Sequence, residues 1–74
     1  MIAAGDYLRF LAEPGAYLVI DKHVIGLVRS DGGVIDVPLD VVLGFIKSGY
    51  ITAEPGPDDA TICKISDDGR SAAG

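Results

Sequence analysis

The segment from Pro38 to Ser48 constrains this chain more than any other, because it reads as one helix with both ends marked. Pro38 suits the first helical position, where its missing N–H would have no partner anyway. Asp40 in the first turn and Lys47 in the last complement the positive and negative ends of the helix dipole. Leu39, Val42, Leu43 and Ile46 recur at i, i+3, i+4 and i+7, the spacing of a core-facing stripe. Val41 and Phe45 form a second apolar ridge on the outward side, with Gly44 between them. A mid-helix glycine costs about 1 kcal/mol against alanine, so Gly44 marks either a close backbone neighbour or simple drift. Gly49 follows as the C-cap.

The flanking segments are short elements of other kinds. Ala3 to Glu13 forms a first helix, with Tyr7, Leu8, Leu11 and Ala12 on one side, Phe10 widening the stripe, and Pro14-Gly15 ending it. Residues 17–37 are β-like. Tyr17 to Ile20 and His23 to Val28 are rich in β-branched residues, and Asp31-Gly32 supplies the positive φ angles of a tight hairpin before Val34 to Val37. This region holds two strands or three, and the competing reading makes Val24 to Arg29 a short helix. After Gly49, Tyr50 to Ala53 pairs with Thr61 to Ile65 across a Pro/Gly loop from Glu54 to Ala60. Ser66 caps a final turn through Arg70, and residues 71–74 fray. The expectation is one α+β domain over residues 1–74, ordered from about 3 to 70.

Composition narrows the class. A core drawn from 74 residues leaves a net stability of roughly 3–5 kcal/mol. The lone Cys63 cannot form an internal disulfide, and Cys63 with His23 matches no metal-ligand spacing. The N-terminal residues lack the basic and apolar regions of a signal peptide, and no uncharged run approaches the ~20 residues of a membrane span. A reduced, cytoplasmic setting with no membrane partner is expected. Six Lys and Arg stand against eleven Asp and Glu, for a net charge of −5. Nucleic-acid binders owe much of their affinity to basic side chains, so this balance disfavours nucleic acid. Hydrophobic residues make up 49% of the chain, more than so small a volume can hide, and an exposed apolar patch follows.

Leu8, Leu11, Ala12, Pro14, Gly15 and Ala16 at the front, with Leu43, Gly49, Tyr50, Ile51, Ile65, Ser66, Gly69 and Arg70 at the back, carry a resemblance. Helix, hairpin, helix and closing hairpin in this order resemble small bacterial winged-helix domains. More narrowly, they look like a module of uncharacterised alphaproteobacterial proteins. The resemblance covers about residues 6–70 and implies DNA binding, with the 38–48 helix in the major groove and the 53–61 loop as the wing. The chain departs from that pattern where phosphate contact is needed. The helix offers Lys47 beside Asp40, and the wing carries Glu54, Asp58 and Asp59 with no cation. Fold alone does not carry the function across.

No catalytic, cofactor or metal site can be assembled. His23 has no nucleophile or second base beside it and reads as a strand-edge residue. Cys63 reads as a core residue, and Asp58-Asp59 and Asp67-Asp68 as solvated turns without calcium-loop spacing. Tyr7, Tyr17 and Tyr50 lack the interleaved cations of a base-stacking surface. Gly32-Gly33 lacks the following helix and lysine of a phosphate cradle. The sequence therefore points to a non-catalytic protein–protein interaction module: an adaptor, an inhibitor or a homodimer. The partner-binding candidates are Val41, Gly44, Phe45, Lys47, Tyr50, Glu54, Asp58 and Asp59, whose acidic members also suit mimicry of nucleic-acid phosphates. The alternative is a winged-helix DNA-binding regulator that gathers Arg9, Arg29, Lys64 and Arg70 by dimerising.

Overall fold

The computed structural model describes residues 3–22 and 24–74; the strand-edge reading of His23 lies outside them. Helix α1 (Ala4–Leu11) leads into strands β1 (Tyr17–Ile20), β2 (Ile25–Val28) and β3 (Val34–Asp36). Helix α2 (Leu39–Ser48) then crosses to β4 (Ile51–Pro55) and β5 (Thr61–Ile65), and α3 (Asp67–Ala73) closes the chain. The α+β class expected from the sequence holds. The five strands form one antiparallel sheet in the order β3-β2-β1-β5-β4, so the two hairpin regions join through β1 and β5.

Region 17–37 contains three strands, and Val24 to Arg29 is extended, not helical. The β2–β3 reversal follows the Asp31-Gly32 signal. Gly32 sits at φ +89°, the Arg29 N–H donates to the Gly33 carbonyl at 2.8 Å, and Asp31 Oδ1 accepts from the Gly33 N–H at 2.8 Å.

One face of the sheet meets all three helices. Leu18 lies between Leu27 and Cys63 in register, and all three are fully buried. Tyr7, Leu8 and Leu11 from α1, Val42 and Phe45 from α2, and Ile51 and Ile65 join them in one cluster. The inward reading of Cys63 is correct: burial pushes its thiol pKa up and keeps it neutral.

Several boundaries differ from expectation. Helix α1 is shorter than Ala3–Glu13, and Asp6 reaches back to the Ala3 N–H at 3.3 Å, half of a capping box. Pro38 is the extended N-cap of α2 instead of its first helical residue. Strand β4 runs through Glu54 and Pro55, which the sequence reading placed in the loop. A proline is tolerated there because β4 is an edge strand and needs no outward N–H partner. Residues 71–73 continue α3, where fraying was expected.

Two anchors explain that last difference. The Ser66 hydroxyl accepts from the Gly69 N–H at 3.1 Å and donates to the Gly49 carbonyl at 2.6 Å, tying α3 to the end of α2. Gly69 is buried against the Tyr50 carbonyl, so closely that any Cβ would clash with it. Ala73 packs against the core beyond this point.

Candidate functional site

At about 100° per residue, the apolar side chains of α2 cover more than half of its circumference. Such a helix can seat on the core in two ways. The sequence reading put Leu39, Leu43 and Ile46 inward and Val41 and Phe45 outward. In the structure α2 is rotated from that seating: Val42 and Phe45 are buried, Val41 is half-buried, and Leu39, Leu43 and Ile46 are 58%, 55% and 46% exposed. Gly49 sets the rotation. Its left-handed φ of +76° reverses the chain so that the Tyr50 N–H meets the Phe45 carbonyl at 2.9 Å. The Tyr50 and Phe45 rings then lie 6.3 Å apart, and Ile51 enters the core. Burying the phenyl ring of Phe45 leaves the aliphatic stripe outside.

The eight candidate residues do not form one site. Val41, Gly44, Phe45 and Tyr50 line a shallow notch of about 380 Å³ between the start of α1 and α2, together with Ala4, Asp40 and Ser48. Beyond its chain neighbours and the backbone of its own helix, no atom lies within 4 Å of where a Gly44 Cβ would stand, so a close neighbour does not explain that glycine. Phe45, expected outside, lines the notch but is buried. Lys47 is exposed on α2. Glu54, Asp58 and Asp59 belong to the β4–β5 end of the sheet. Asp58 and Asp59 adopt positive φ values of 54° and 62° in the turn after Pro57, and aspartate is among the few non-glycine residues that tolerate this.

A second surface includes only Glu54 of those candidates. The sheet face away from the helices exposes parts of Tyr17, Val19 and Ile62, the floor of an open groove of about 690 Å³. Lys64, Glu54, Pro57 and Arg70 stand around it. Its one sequence signal is the uninterrupted apolar run from Tyr17 to Ile20. Successive strand residues alternate faces, so such a run in a sheet covered on one side leaves apolar side chains on the other.

Three of the cations are engaged with carboxylates. Arg9 pairs with Asp6 at 2.5 Å, Arg29 with Glu13 at 2.9 Å, and Lys64 with Glu54 at 3.0 Å. The Arg29 guanidinium also lies 4.4 Å from the Phe10 ring centroid. Its hydrogen bond holds the Glu13 carboxyl below the ordinary carboxylate pKa, and Glu13 in turn raises that of Arg29. Arg9, Arg29 and Lys64 thus each have a carboxylate beside them, while Lys64 and Arg70 line the same groove.

No protein family, curated protein or solved structure matches this chain.

Among the described residues, no three His, Cys, Asp or Glu side chains come together as a metal-binding group. No helix there is long and apolar enough to cross a membrane. What the arrangement offers chemically is apolar contact area. Leu39, Leu43 and Ile46 are three of the five exposed large hydrophobic side chains among the described residues, and they fall on one face of one helix.

Proposed function

We propose that this protein is a non-catalytic interaction module that docks a protein partner on the outward stripe of α2. The observation that carries this reading is the stripe itself. Leu39, Leu43 and Ile46 occupy an arc of about 60° on the helix wheel and are about half exposed. Scattered apolar residues are ordinary on a surface, whereas contiguous ones mark interaction sites. A helix presenting i, i+4 and i+7 anchors is a familiar protein-recognition element. The reading keeps α2 as the working helix, as in the winged-helix domains that the chain resembles, with the β4–β5 hairpin in the place of the wing. The surface it presents is aliphatic where a DNA reader needs cations, and the ion pairs of Arg9, Arg29 and Lys64 weigh against the DNA-binding alternative.

Cross-linking from position 43 tests this. A photoreactive amino acid in place of Leu43, with a second variant carrying it at exposed Thr52 on β4, should give discrete cross-linked products in cells from position 43 alone. Equal yields from both positions, or none from 43, contradict the reading.

A further inference from the structure

We infer that the occupant of the α2 stripe is α2 of a second copy, packed antiparallel about a two-fold axis. This deepens the docking reading above and rests on it.

On the helix wheel, Asp40 and Lys47 fall within about 20° of each other, on the same flank of the stripe, roughly 80° from its centre. The opposite flank is the buried side, carrying Val42 and Phe45. Lys47 lies seven positions after Asp40, about 10.5 Å along the axis at 1.5 Å per residue. They lie almost symmetrically about Leu43 and Gly44. Both are exposed, and neither takes part in the ion pairs of the described residues.

A two-fold axis perpendicular to paired helices keeps each flank on its own side and inverts height. It therefore sets Asp40 of one copy opposite Lys47 of the other, twice per dimer, at the rim of the aliphatic seam. A parallel pair would instead put each charged flank against the partner's buried flank, with no opposite charge to meet. The charge pattern is self-complementary only in the antiparallel arrangement, as an isologous contact requires.

The area available is consistent with weak association. A helix of this length is about 15 Å long, and two of them alone bury less than the roughly 1,200 Å² of a standard interface. The antiparallel arrangement also brings the two protein bodies to the same side of the helix pair, where they add contact. Exposed charge pairs contribute little affinity. Their role is to select orientation, and that makes them the right residues to change.

The test is sedimentation equilibrium at low salt on the wild type, Asp40→Lys, Lys47→Asp and an equimolar mixture of the two variants. In each variant alone, both cross-helix pairs become like-charged, and self-association should weaken about tenfold. In the mixture, the lysine introduced at position 40 faces the aspartate introduced at position 47, and the native Lys47 faces the native Asp40. Both pairs are then opposite in charge, and association should recover to within about threefold of the wild type. Raising the salt should shrink these differences. A mixture that associates no better than its components overturns the antiparallel pairing. A wild type that stays monomeric at all concentrations overturns the second copy as occupant. If position 43 then still cross-links to another protein, the docking reading stands alone; without cross-links from 43, both fall.

Discussion

Glu13 shows how one residue can secure two elements at once. Its carboxylate accepts from the Arg29 guanidinium and from the Ser30 backbone and hydroxyl, linking the end of α1 to the β2–β3 turn. The Glu13 pKa is depressed in the folded protein, chiefly by the Arg29 hydrogen bond. The folded state therefore holds its Glu13 proton less tightly than the unfolded chain does. This contribution is fully present above the ordinary carboxylate pKa and is lost as pH falls through the depressed folded value. Thermal midpoints measured between about pH 6 and pH 3 should fall for the wild type, and less steeply for Glu13→Gln. Parallel curves would show that the pair is not stabilising. Residues of this kind are hard to read from sequence, because Glu13 and Arg29 are far apart in the chain and no local pattern joins them.

At the scale of elements, the seating of α2 makes the sharpest prediction. Phe45→Ala should cost about 3 kcal/mol or more, enough to unfold much of so small a domain. Leu43→Ala should stay within about 0.5 kcal/mol, as surface substitutions do. The opposite ranking in urea denaturation would restore the seating expected from the heptad-like spacing. The order of α1, the β region, α2 and the closing hairpin was legible in the sequence, since Pro14-Gly15, Asp31-Gly32 and Gly49 each stop or turn the chain by local chemistry, whereas the number of strands in 17–37 stayed open. The rotation of α2 was not legible. Its apolar arc is too wide for periodicity to choose a face, and the choice comes from Tyr50 and Ile51 beyond the Gly49 cap. Strand β4 was read short because Glu54 and Pro55 look like loop residues, and only the edge position of β4 makes them acceptable. Helix α3 was underestimated because Ser71, Ala72 and Ala73 owe their place to Gly69 fitting under the Tyr50 carbonyl. Of the candidate residues, the structure brings Val41, Gly44, Phe45 and Tyr50 together at one notch, but the sequence reading assigned the wrong ridge of α2 to solvent.

For the whole molecule, the apolar surplus and the acidic charge have a common consequence. The helices cover one face of a five-stranded sheet and still leave the α2 stripe and the groove over Tyr17, Val19 and Ile62 partly exposed. A net charge of −5 favours solubility in spite of these surfaces, and the docking proposed here rests on apolar contact. The most direct measurement compares immobilised wild type with Leu43→Glu and with Thr52→Glu, after urea denaturation has established that all three are equally stable. The wild type and Thr52→Glu should retain the same protein, whether a second copy or another chain, and Leu43→Glu should lose it. Equal retention by all three would contradict the claim that the outward face of α2 is where this protein binds.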